Sequence, residues 1–233
     1  MQREIPCKEE TRVTFPDTGF LKICELSTAA VIQDVYFHAG TVIGFHEDGY
    51  LWRCLLSENT LVHGVPCQGG AELEFHRNGQ LHVCRLSKDL RFGGISCRGG
   101  ALIIFHENGA LFRSELSEKI SIQGIPINPG TDICFFADGR LSACDLSGDT
   151  VIQDIPCQAR SRVWFYEDGK FSAGTLAKDV TVQGIPCQGG SLIWFHSNGR
   201  LAGGTPFREV NVQGVPSSAA PPVKFNENGI LIP

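Results

Sequence analysis

Methionine occurs once in the 233 residues, whereas glycine numbers 27 and proline 12, a balance that disfavours long helices. Apolar runs are short, far below the ~20 residues that a membrane-crossing helix needs. Lysine and arginine never cluster, and the net charge is −5 with a pI near 5.8. That excludes both the basic footprint of a nucleic-acid binder and a polybasic membrane patch. No CxxC and no local Cys/His spacing suited to zinc occurs, so neither a metal nor any other cofactor is expected. Gly-rich pieces such as Gln68-Gly69-Gly70 and Arg98-Gly99-Gly100 lack a following helix and a Lys-Ser/Thr pair, which argues against a phosphate cradle. The first residues, Met1 to Cys7, contain no apolar leader core, and a cytoplasmic protein is expected.

What the chain does have is a period. Phenylalanine stands at 15, 45, 75, 105, 135, 165, 195 and 225. Four residues after each comes a glycine, from Gly19 to Gly229, and two further on a leucine, replaced once by Phe171. Seven 30-residue copies and a shortened eighth therefore run without an insertion, the mark of a repeat architecture. One repeat domain over residues 1–233 is expected rather than two unrelated ones.

Within a copy, Leu102 to His106 reads as a strand and Asn108-Gly109 as a hairpin turn, because glycine adopts positive φ without steric cost. Leu111 to Leu116 reads as the returning strand. After a polar turn at Ser117, Ile120 to Ile125 reads as a third, and Pro126 and Pro129 break the chain. An odd strand count in a plain meander would reverse direction at each copy, yet the residue pattern is kept throughout. One strand must then lie apart in a second layer, as in a β-solenoid or layered repeat sheet. A closed ring or barrel-like arrangement of about seven units is the alternative. The inward set of one copy is Ile43, Phe45, Leu51, Leu56, Val62 and Val65, too little apolar surface to order thirty residues alone.

The segment Phe75-His76-Arg77-Asn78-Gly79-Gln80-Leu81 resembles the MORN-variant repeats of YwqK-type bacterial proteins. The likeness spans about seven residues of each thirty and recurs along the chain. It implies a β-hairpin repeat scaffold used for interaction, and it transfers no catalytic residue.

Ten cysteines fall mostly in phase: Cys7, Cys67, Cys97, Cys157 and Cys187 share one repeat position, and Cys24, Cys54, Cys84 and Cys144 another. Small or apolar residues replace them in other copies, so reduced, space-filling thiols are expected, with disulfides between copies as the alternative. The glutamines at 33, 123, 153, 183 and 213 suggest amide ladders from copy to copy. The serines at 27, 57, 87, 117 and 147 suggest local turn bonds.

One face departs from the repeat. Ile43 and Phe45 share a side of their strand, leaving positions 44 and 46 on the other. The first outward column runs Gly44, Glu74, Ile104, Cys134, Trp164, Trp194, Lys224; the second runs His46, His76, His106, Phe136, Tyr166, His196, Asn226. Trp164, Trp194, Tyr166, Phe136, His106 and His196 are accordingly the candidate ligand-binding residues, for a protein or an apolar small molecule. A covering second layer or a second copy of the chain would explain the same aromatics. Parallel imidazoles at ~5 Å do not converge on a metal. An enzyme using His106, His196 and Tyr166 as acid or base is one alternative function, although catalytic sites usually interrupt a repeat. A self-assembling structural protein is the other. Against it, the stretch from Ser217 to Pro222 reads as an end cap.

Overall fold

The computed structural model describes residues 5–17, 19, 21–217 and 222–232. Among them the only helical element is a 3-10 turn at Glu9–Thr11; everything else with regular structure is β. The chain gathers into two compact units, Met1–Glu118 with Ala137–Gly139, and Lys119–Phe136 with Arg140–Pro233.

In the N-terminal unit the long strands are Val13–Thr14, Leu21–Glu25, Val42–Phe45, Leu51–Leu55, Glu72–Phe75, Leu81–Arg85, Leu102–Phe105 and Leu111–Glu115. Each pairs antiparallel with its neighbours in that order. Their hairpin turns are the ones the Asn/Asp-Gly pairs predict. At residues 46–50 the His46 N–H donates to the Tyr50 carbonyl at 2.8 Å and the Gly49 N–H to the His46 carbonyl at 2.9 Å. Gly49 takes φ 86°, and the Asp48 carboxylate accepts the Tyr50 N–H. A register shift between Gly44 and Phe45 marks the bulge that leads into this loop.

The segment after each long pair differs from expectation. It is not a third strand but a small hairpin of its own: Ala30–Ile32 with Val35–Phe37, Thr60–Val62 with Val65–Cys67, and Leu90–Phe92 with Ile95–Cys97. Both turn residues have positive φ, as in His63 (48°) and Gly64 (84°), the geometry whose twist matches a two-residue hairpin. Four strands per copy also remove the direction problem, since each copy starts along the same heading as the last. Equivalent residues therefore share surroundings: Phe45, Phe75 and Phe105 are 2%, 4% and 4% exposed.

The C-terminal unit repeats the plan. Its long strands are Asp132–Phe135, Leu141–Asp145, Arg162–Phe165, Phe171–Thr175, Leu192–Phe195, Leu201–Gly204, Val223–Phe225 and Leu231–Ile232. Its small hairpins are Ile120–Ile122 with Ile125–Ile127, Thr150–Ile152 with Ile155–Cys157, Val180–Val182 with Ile185–Cys187, and Val210–Val212 with Val215–Ser217. Part of the stretch read as an end cap, 218–221, lies outside the described residues. In neither unit does the first long strand pair with the last among the described residues, so the layered array holds and the ring does not.

The core lies between the long strands and the small hairpins. All six residues assigned to the inward set, Ile43, Phe45, Leu51, Leu56, Val62 and Val65, are buried. Hairpin and long strand meet side chain to side chain, for instance where the Phe92 and Phe105 rings pack edge-on at 5.2 Å. The glutamines make no ladder. Gln33 donates from Nε2 to the Gly49 carbonyl at 2.8 Å, while its Oε1 accepts the Leu51 N–H at 3.0 Å. Gln153, Gln183 and Gln213 do the same to the loops at Gly169, Gly199 and Gly229. Each glutamine thus pins the small hairpin of one copy to the long hairpin of the next. Ser27 and Ser87 likewise reach beyond their own turns, donating to the Pro6 and Pro66 carbonyls.

Candidate functional site: the outer face of the long strands

Because the small hairpins cover only the inward face of the long strands, they leave the opposite face uncovered. The cross-strand register fixes which residues line up there. In the C-terminal unit one row passes through Cys134, Ala143, Trp164, Ala173, Trp194, Gly203 and Lys224. Large and small residues alternate, so each indole has a small neighbour on the adjoining strand. Gly203 shows how close that packing is: a Cβ there would lie 2.2 Å from Cζ2 of Trp194. The Trp194 ring therefore fills the space that a side chain at position 203 would take. Trp164 is 39% exposed. On alternate strands, the two tryptophans stand about 10 Å apart, twice the strand spacing.

Beside this row runs a second, made of Asp145, Arg162, Thr175 and Leu192. Leu192 is exposed and extends the apolar surface next to Trp194. Arg162 lies toward the other end of this row. Its Nη1 meets Asp145 at 3.2 Å and Asp132 at 3.4 Å, and its Nη2 lies 3.0 Å from Cys134 Sγ. Shared between two half-exposed carboxylates, this guanidinium is a fixed polar border more than a source of stability.

The six candidate residues divide sharply. Trp164 and Trp194 occupy the row just described. Tyr166 and His196 do not present their polar tips to solvent: the Tyr166 hydroxyl donates to the Phe195 carbonyl at 2.8 Å, and His196 Nε2 lies 2.8 Å from the Phe225 carbonyl. In the N-terminal unit His76 Nε2 makes the same bond to Phe105 at 2.9 Å. At His76, Tyr166 and His196 this column therefore braces a loop against the backbone of the next copy. Phe136 is half-buried, and its N–H donates to the Arg140 carbonyl. His106 belongs to the N-terminal unit, where its ring packs edge-on against Phe112 at 5.0 Å.

The N-terminal unit carries a different row on the equivalent face: Ile23, Gly44, Arg53, Glu74, Val83, Ile104 and Arg113. Glu74 is joined there by His82 at 3.6 Å, and Arg53 lies over the Trp52 ring at 4.5 Å. Burial and the neighbouring His76 push the His82 imidazole below its ordinary pKa, against the opposing pull of Glu74.

Grooves of about 350 and 250 Å³ in the C-terminal unit repeat one another thirty residues apart, the first lined by Gln153, Phe171, Gln183 and Phe195, the second by Gln183, Leu201, Gln213 and Phe225. They are gaps between successive hairpins; Asp154 and Lys170 also line the first, and the Lys170 ammonium is paired with Asp168 at 2.6 Å. Three buried thiols of the C-terminal unit are equally unsuited to catalysis. Burial pushes Cys144 and Cys157 up to about 12 and Cys187 to about 11, far from the reactive thiolate range. Among the described residues no group of three or more His, Cys, Asp or Glu is placed to hold a metal ion.

Fold and face together define a layered β-hairpin repeat protein with an aromatic row on one open sheet surface. No family model matches the chain, and no curated protein matches it. Among solved structures it is similar to the modular autolysin LytC from Streptococcus pneumoniae, both in a structure of that enzyme and in one of its complex with a synthetic peptidoglycan ligand. Each match is 11% identical with a TM-score of 0.13, covering 88% of this chain and 52% of the autolysin. This chain thus spans about half of that protein's length, and a score so low carries neither its fold nor its activity across.

Proposed function

We propose that this chain is a non-catalytic binding scaffold whose C-terminal unit presents Trp164 and Trp194 to a protein or an apolar ligand. One observation carries this reading: two indoles stand in cross-strand register on the face that the small hairpins leave bare, with Leu192 beside them. Tryptophan combines large contact area with few side-chain torsions, which suits a binding surface better than a solvated one. The likeness to MORN-variant repeats favours the same interaction role. No helix among the described residues is long and apolar enough to cross a membrane. We read the compartment as the cytoplasm; eight of the ten cysteines are buried free thiols in the structure, and Cys7–Cys24 is the disulfide that stands against a fully reducing environment.

Titration with the apolar dye 8-anilinonaphthalene-1-sulfonate tests the surface. Saturable binding is expected in the parent chain and in Trp52→Ala, and its loss in the Trp164→Ala/Trp194→Ala double variant with an unchanged melting temperature. Undiminished dye binding in the double variant would reject the surface, and collapse of its fold would assign the tryptophans to structure. Sedimentation across a concentration range reports whether the occupant is a second copy.

A further inference from the structure

We infer that Cys67 and Cys84 form a second disulfide site, equivalent to the Cys7–Cys24 bond sixty residues earlier and closed by exchange with a low-molecular-weight disulfide. The Cys7–Cys24 bond spans 17 residues with its Cα atoms 5.7 Å apart. It departs from the reduced thiols expected for this chain, and it ties Cys7, which bridges Leu26, to Cys24 in the long strand Leu21–Glu25.

Cys67 and Cys84 are also 17 residues apart, and the backbone around the two pairs matches bond for bond. Lys8 N–H donates to the Glu25 carbonyl at 2.8 Å, and Gln68 N–H to the Arg85 carbonyl at 2.8 Å. Ser27 N–H donates to Pro6 at 2.8 Å, and Ser87 N–H to Pro66 at 2.8 Å. Cys7 bridges Leu26 as Cys67 bridges Leu86. Three flanking contacts in the same places set Cys67 and Cys84 in the arrangement of a pair whose 5.7 Å Cα separation lies inside the range a disulfide accepts without backbone movement. Cys67 is near enough to raise the Cys84 thiol above its ordinary pKa, ahead of burial.

No other copy offers this. The facing partners are Phe37 and Cys54, Cys97 and Ser114, Ile127 and Cys144, Cys157 and Gly174, and Cys187 and Gly204. In the last of these a Cβ on Gly204 would lie only 3.1 Å from the Cys187 sulfur. Where one partner is large the other is small, and only two copies, both in the N-terminal unit, have sulfur on each side.

The chemistry balances as ordinary exchange. One cysteine thiolate attacks the oxidant's sulfur–sulfur bond and releases a first thiol. The second cysteine then displaces the other half as a second thiol. The protein loses two hydrogens and two electrons, and the oxidant gains them. Both sulfurs are buried, so closure belongs to refolding or to local opening of the unit.

The full-length chain is reduced, denatured, refolded with oxidised glutathione, then alkylated in denaturant and digested with trypsin. The expected result is six alkylated cysteines, with peptide 54–77 joined to peptide 78–85 and Cys54 carrying the label. Alkylated Cys67 and Cys84 alongside an intact Cys7–Cys24 link would overturn the inference, because that link shows the oxidant acted. A lasting glutathione adduct on either sulfur would overturn it too. The Cys84→Ser variant is expected to keep seven alkylated cysteines; a new link from Cys67 to any other cysteine would count against the site.

Discussion

Compared as separate units, the two halves share one backbone plan and differ in the residues of the outer row. In the N-terminal unit the exposed row carries Arg53, Glu74 and Arg113 among Ile and Val; in the C-terminal unit it carries Trp164 and Trp194 among Ala and Gly. The inward rows hardly change: Ile43, Leu73, Ile103, Ile133, Val163 and Ile193 are all fully buried. The inner face is constrained by folding, whereas the outer one is free to vary, so chemistry particular to this protein should be sought on the outer row. The second-strand positions shrink as the first-strand positions grow, from Arg53 beside Glu74 to Gly203 beside Trp194.

The largest effect expected is one that both units share. Ile43→Ala and Ile193→Ala each remove a fully buried side chain and are expected to cost about 2–5 kcal/mol, read from urea denaturation. Trp164→Ala, at a position 39% exposed, is expected to cost less than about 1 kcal/mol. If Trp164→Ala matched Ile193→Ala, the distinction between a folding face and a free face would be lost.

Next come the braces. Gln183→Ala strips a partner from the Leu201 N–H and from the Gly199 carbonyl, and a loss of about 1–2 kcal/mol is expected from the same measurement. In the N-terminal unit the equivalent positions are His63 and Gly93, so two of its copies lack the glutamine. Hydrogen exchange should find the loop at Gly199 better protected than the loops at Gly79 and Gly109, and faster exchange at Gly199 in Gln183→Ala. A Gly203→Ala substitution is milder still. Its new Cβ meets the movable end of the Trp194 ring rather than backbone, so the indole should lift and shift its emission while the melting temperature changes little.

Much of this plan was legible in the spacing. The Phe period, the inward six residues and the Asn/Asp-Gly turns follow from side-chain alternation and from the few residues that tolerate positive φ. The small hairpin was not, because Gln-Gly is not among the usual turn pairs. Gln183 stands at φ 49° while its own amide is bonded to the next copy, a contact no local pattern reveals. The column from His46 to Asn226 misled for a related reason. Position 46 belongs to the loop beyond the bulge, so strand alternation no longer tells where its side chain points. At Tyr166 and His196 it reaches the neighbouring backbone. The Cys7–Cys24 bond was hidden because sequence phase places cysteines in columns and does not say that hairpin and long-strand columns meet.

The smallest effect concerns protons, and it too separates the units. Six of the seven histidines lie in the N-terminal unit, and His82 there packs 4.3 Å from the His76 ring with Glu74 at its side. Its folded pKa is lowered, by burial first and by His76 second, so the unfolded chain binds the proton more readily than the folded one. Stability from this site is therefore complete above the unfolded value of about 6.5 and falls as pH drops through 6.5 toward the lower folded value. With the side chain two-fifths exposed, the effect should be smaller than that of any substitution above. Urea midpoints at pH 5 and pH 8 should differ less in His82→Gln than in the parent chain. An unchanged difference would remove the His76–His82 pair as a source of acid sensitivity in the N-terminal unit.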